Sequence, residues 1–125
     1  MGDVVQSMCV INNRAFIVAN NSQKIEVVRM DNFKSIGVIN GFASPRYLLP
    51  INNSIGYVSD WTDNNIKIVN LNSLSITGSI PTGNGPEQML LVGNKVYVTN
   101  VGGFGNDSSV TVINTMTNSI DTTFK

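Results

Sequence analysis

Arg14-Ala15-Phe16-Ile17-Val18-Ala19-Asn20, Ser54-Ile55-Gly56-Tyr57-Val58-Ser59-Asp60 and Asn94-Lys95-Val96-Tyr97-Val98-Thr99-Asn100 are three versions of one short pattern. Val18, Val58 and Val98 stand 40 residues apart each time. A second set follows each copy: Ile25-Glu26-Val27-Val28, Ile66-Lys67-Ile68-Val69 and Val110-Thr111-Val112-Ile113. A third set ends in Ile39, Ile80 and Phe124, and a fourth precedes each copy as Met8-Cys9-Val10-Ile11, Leu48-Leu49-Pro50-Ile51 and Met89-Leu90-Leu91-Val92. Each repeat, about 41 residues long, therefore carries four short strand-like runs.

The breaks between runs are rich in Asn, Gly, Ser, Pro and Asp. Asn12-Asn13, Asn52-Asn53 and Gly93-Asn94 read as hairpin turns, because Asn and Gly tolerate positive φ. No segment shows apolar spacing of helical period over a useful length. Runs such as Ile66 to Val69 are apolar on both faces, with a single Lys67 between them, as expected for a sheet covered on both sides. The reading is an all-β chain, a β-propeller of three four-stranded antiparallel blades at about 4–40, 41–81 and 82–125.

The third repeat is the most regular. Tyr97-Val98-Thr99-Asn100, followed by Val110-Thr111-Val112-Ile113-Asn114 and Thr117-Asn118-Ser119-Ile120, resembles the YVTN-type propeller repeat. Pro86 and Pro45 keep the proline that opens a blade in that family, but the glycine that goes with it is absent. The first two copies are degenerate, reading Ile17-Val18-Ala19-Asn20 and Tyr57-Val58-Ser59-Asp60. The resemblance implies a bacterial surface-layer-like, secreted or periplasmic binding propeller, and hence a location outside the cytoplasm. Some relatives capture corrinoids, and others share only their fold with quinoprotein dehydrogenases.

Eight basic and eight acidic residues cancel, and they are scattered singly, so no row of phosphates can be neutralised and nucleic acid is not expected. Charged residues make up only 13% of the chain, and eighteen Asn supply much of the polarity. No apolar stretch approaches the ~20 residues of a membrane span. The one cysteine, Cys9, excludes a disulfide framework and reads as a buried structural thiol.

Histidine is absent, which removes the commonest general base and metal ligand. No catalytic constellation, metal site or cofactor is expected. The long loop 101–109 holds glycines but no Lys-Ser/Thr pair, and its one carboxylate is too few for calcium. It reads as a surface hairpin turn.

Propellers bind at the mouth of the channel, where the second-to-third-strand loops and the inter-blade loops share a face. On that face the candidate ligand rim comprises Trp61, Phe42, Arg46, Asp60, Asp63, Glu87, Asn100 and Phe104. A structural ion pair between blades explains Arg46 and Glu87 equally well. The expected function is a non-catalytic binding or scaffold module for a small molecule, a glycan or a protein. The alternatives are part of a propeller enzyme or a purely structural surface-layer module.

Three blades are fewer than the four to eight of closed propellers and leave two apolar sheet faces uncovered. Two arrangements meet that need: remaining blades of a longer, seven-bladed protein, or a second copy completing a six-bladed ring.

Overall fold

The computed structural model describes residues 5–19, 22–102 and 108–124. They form three four-stranded antiparallel sheets, each in simple chain order. Blade one holds β1 (Val5–Ile11), β2 (Arg14–Ala19), β3 (Lys24–Arg29) and β4 (Ser35–Asn40). Blade two holds β5 (Pro45–Pro50), β6 (Ile55–Asp60), β7 (Asn65–Asn70) and β8 (Ser75–Pro81). Blade three holds β9 (Pro86–Val92), β10 (Lys95–Asn100), β11 (Val110–Asn114) and β12 (Ser119–Phe124). The first strands β1, β5 and β9 lie against one another along the inner edge, so the sheets are blades of a β-propeller.

Pro45 and Pro86 open β5 and β9, where the missing N–H costs the ladder nothing. Asn12 (φ 57°) and Gly93 (φ 60°) sit in the left-handed region and turn the first hairpins of blades one and three in two residues. Blade two does this differently. The Ile51 N–H donates to the Ile55 carbonyl, and the Asn52 carboxamide oxygen accepts from the N–H groups of Ser54 and Ile55. Its loop, residues 52–54, is one residue longer than a two-residue hairpin.

That extra residue changes the phase of the repeat. Ala19 pairs with Lys24 as Asp60 pairs with Asn65, so Ala19 stands where Asp60 stands, and Ile17 matches Val58. The even spacing of Val18, Val58 and Val98 therefore does not carry into space. Because side chains alternate faces, Val18 points toward blade two whereas Val58 points back toward blade one, and both enter one core.

Two cores fill the spaces between blades. In the first, Phe16, Val18, Ile25, Val27 and Ile39 of blade one meet Leu48, Val58, Val69 and Leu71 of blade two. In the second, Tyr57, Ile66, Ile68 and Ile80 of blade two meet Val96, Val98 and Ile113 of blade three. Blade two is thus covered on both faces, and β7 is buried from Ile66 through Val69. Cys9 is half-buried, not fully buried as the sequence suggests, and packs at the edge of the first core. Burial raises its thiol pKa.

The ladders are interrupted in the same two places in every blade. Between the first and second strands the shifts fall at Val5/Ser7, Pro45/Leu48 and Val98/Asn100. Between the third and fourth they fall at Val27/Val28, Ile68/Val69 and Val112/Ile113.

Candidate functional site

The loops after β6 and β10 and the inter-blade loops are laced together on one face. The Trp61 N–H donates to the Ser44 carbonyl at 3.0 Å. The Val101 and Gly102 N–H groups donate in the same manner to Gly85 and Asn84. Asn64 crosses from blade two to blade three, its backbone oxygen accepting from the Thr82 N–H and its carboxamide oxygen from the Gly85 N–H.

At the start of the inner strands, Arg46 of β5 and Glu87 of β9 meet across the blade boundary. The Arg46 Nε lies 3.1 Å from both Glu87 oxygens, and Nη2 lies 2.9 Å from Oε2. The Arg46 guanidinium carbon also lies 5.6 Å from the centroid of the Trp61 ring. A planar cation is therefore held by a carboxylate and faces an aromatic ring, a use to which arginine is suited and lysine is not. Serine hydroxyls support the arrangement from behind. Ser7 Oγ donates to the Arg46 carbonyl at 2.6 Å, and Ser59 Oγ to the Glu87 carbonyl at 2.8 Å. Each hydroxyl ties an inner strand to the blade before it.

The other candidates separate. Asp60 is fully buried and is a loop staple, not a rim residue. Its Oδ1 accepts from the Ser44 N–H at 2.7 Å, and its Oδ2 from the Ala43 N–H at 2.9 Å and from the Lys67 ammonium at 3.0 Å. Lys67 donates also to Asp63 Oδ2 and Asn65 Oδ1, both at 2.9 Å, so its three protons meet three acceptors. Asp63 is half-exposed and remains on the surface. Phe42 is 5% exposed and fills the core between blades one and two, so it leaves the rim. Its loop folds inward because burying the apolar ring is favourable and fills a gap whose lining would otherwise lose contacts.

Asn100 is likewise buried, its amide donating to Ser109 Oγ at 3.0 Å and Thr111 Oγ1 at 2.9 Å. It holds the blade-three position that Asp60 holds in blade two, with hydroxyls in place of the lysine. Phe104, with the rest of 103–107, and Asn20 lie outside the described residues.

The structure thus brings Arg46, Glu87 and Trp61 together, and Asp60 with Asp63 around a residue that was not a candidate, Lys67. A lysine in an otherwise apolar strand was the signal for that nest, since such a charge must find partners. Below the Arg46–Glu87 pair, a hollow of about 250 Å³ opens between the inner strands of blades two and three. It is lined by Tyr47, Leu48, Leu49, Gln88 and Met89. Among the described residues, no three His, Cys, Asp or Glu side chains gather as metal ligands would. Among the described residues, no helix is long and apolar enough to cross a membrane.

No family model matches the chain, and no curated protein sequence matches it. Solved structures do. The hydrazine synthase of Kuenenia stuttgartiensis superposes with a TM-score of 0.81 at 17% identity, over 90% of this chain and 33% of that one. Dihydro-heme d1 dehydrogenase NirN gives 0.82 at 11% identity, over 98% of this chain and 28% of that one. The WD40 β-propeller domain of Doa1 gives 0.76 at 16%, over 97% and 40% respectively. The likeness at these identities is one of fold, and the chain spans well under half of each of the three.

Proposed function

We propose that this chain is a non-catalytic binding segment of a β-propeller, which presents its loop face and the hollow beneath it to a small molecule, a glycan or a protein. The observation that carries the reading is the Arg46–Trp61–Glu87 cluster. It joins an aromatic plane, a fixed guanidinium and a carboxylate at the mouth of an inner-strand hollow. Such a mixture of rigid apolar surface with a few oriented polar groups is the usual make-up of a ligand site. A role outside the cytoplasm is part of the proposal and rests on the YVTN-like repeat.

Trp61 is the one tryptophan of the chain, so its fluorescence reports on this site alone. Titration with a panel of soluble oligosaccharides and planar cofactors, corrinoids included, is expected to give a saturable change for at least one class. Calorimetry on Trp61→Ala and Arg46→Met should then show binding weakened at least tenfold with the fold retained. Undiminished binding in both variants would remove the site from consideration.

A further inference from the structure

The second-to-third-strand loops of blades one and two reach toward the next blade from the same place. Gln23 and Asn64 each stand one residue before the third strand, and both hold a left-handed backbone, at φ 57° and 55°. The two side chains then make opposite contacts. The Gln23 amide donates to the Ala43 carbonyl at 2.9 Å, whereas the Asn64 carboxamide oxygen accepts from the Gly85 N–H at 2.9 Å.

That difference decides what becomes of the backbone beneath. Ser44 and Gly85 are counterparts: each precedes the proline that opens an inner strand, and each carbonyl accepts from the residue after the second strand, Trp61 or Val101. At the first boundary the Ser44 N–H remains for Asp60, whose Oδ1 takes it at 2.7 Å. At the second the Gly85 N–H has gone to Asn64, and the residue in the place of Asp60 is Asn100. Asn100 is 2% exposed, and its Oδ1 is buried and accepts from none of the described residues. Its NH₂ is committed to Ser109 and Thr111, the counterparts of Asn65 and Lys67, so the oxygen is turned toward the inter-blade loop as Asp60 Oδ1 is. A buried acceptor without a donor costs free energy comparable to a lost hydrogen bond. The donor that would satisfy it is held by an exposed side chain, that of Asn64.

We propose that Asn64 is a releasable ligand contact of the loop face. Its carboxamide turns outward to a hydroxyl or amide group of the ligand, and the Gly85 N–H passes to Asn100 Oδ1. The exchange strips no buried amide of its partner, and it fills an acceptor that begins without a donor. The bond from the Thr82 N–H to the Asn64 carbonyl stays in place, so only the side chain moves. Trp61 lies in the same turn, three residues before Asn64, so the released carboxamide joins the aromatic part of the rim. The ligand's part in this rests on the binding role proposed above; the handover of the Gly85 N–H does not.

NMR of the 125-residue chain tests the handover with no ligand present. Asn64→Gly keeps the left-handed backbone, which glycine adopts freely, and removes the competing oxygen. Hydrogen exchange at Gly85 should then stay within about fivefold of the wild-type rate, and the side-chain NH₂ signals of Asn100 should move because its oxygen has gained a donor. A larger rise in exchange would overturn the inference, since the Gly85 N–H would have found no second acceptor. An unchanged rate with unmoved Asn100 signals would overturn it too, by placing that acceptor elsewhere. Asn64→Asp keeps an oxygen for Gly85 and should match the wild type in both readouts; Asn100 signals that move as they do in the glycine variant would sink the assignment. For an oligosaccharide that binds in the Trp61 titration, Asn64→Gly should weaken binding about fivefold or more, and undiminished binding would remove Asn64 from the contact. The exchange readouts involve no ligand, so their failure is distinct from a failure of the titration.

Discussion

Asp60→Asn is a change of one atom type with a large expected cost. Both carboxylate oxygens face donors: the Ser44 N–H on one, and the Ala43 N–H and Lys67 ammonium on the other. An amide must set its own NH₂ against one of these, so a buried hydrogen bond becomes a clash of donors. The same change leaves Lys67, itself 9% exposed, with less of the charge that balances it. Breaking one side of a buried charged pair costs about 3–5 kcal/mol, a large share of the ~5–15 kcal/mol total stability of a domain. Asp63→Asn removes a carboxylate from the same ammonium, but Asp63 is 47% exposed, and solvent screening holds that loss to about 0.5 kcal/mol or less. Urea unfolding followed by Trp61 fluorescence gives both values. In a double-mutant cycle with Lys67→Met, Asp60 should couple to the lysine by about 1–3 kcal/mol. If the Asp60 and Asp63 variants lose the same small amount, the account of Asp60 as the staple of the loop face is wrong.

Three further outcomes are expected. Arg46→Lys loses the two-pronged contact with Glu87 and the flat contact with Trp61, and should cost about 0.5–1 kcal/mol in denaturant unfolding at low salt and less at high salt. Phe33 holds φ 56° while 75% exposed, so Phe33→Asn relieves backbone strain without uncovering a core and should stabilise by about 1 kcal/mol, read as a raised Tm. Burial raises the pKa of both Cys9 and Tyr57 above their ordinary values, so the neutral forms favour the folded state. Their contribution is complete below about pH 8.5 and is lost as pH rises through their folded-state values; a Cys9→Ala/Tyr57→Phe variant should therefore show a flatter decline between pH 8 and 10.5, and an identical decline would refute the assignment.

The four strands of each blade were legible because a sheet covered on both sides leaves runs of apolar residues between turn formers. The phase of the first repeat was not. Counting 40 residues from Val58 reaches Val18, but the three-residue turn at 52–54 shifts the frame by one, and a count cannot see the length of a turn. The rim was legible in part. Arg46 and Glu87 occupy matched positions on adjacent inner strands, which put them in reach of each other, and they form the ion pair that was one of the two readings. Phe42, Asp60 and Asn100 were misread for a common reason. Residues in loops and at strand ends look exposed in a sequence, yet here the loops fold back over the ends of the blades, so the Phe42 ring fills a gap, the Asp60 carboxylate fastens backbone amides and the Asn100 amide fastens two hydroxyls. Lys67 shows the converse, a charge in a strand whose partners come from the turn before it and from the two strand ends that flank that turn.

The paired ladder irregularities recur at the same two rungs of all three blades. Bulges of this kind add twist to a strand pair locally, so the pitch of each blade is set by its own backbone and not by tension around a finished circle. The twist of a blade is therefore a local property of its own hydrogen-bonding pattern, written into each of the three four-stranded sheets before any neighbour packs on it.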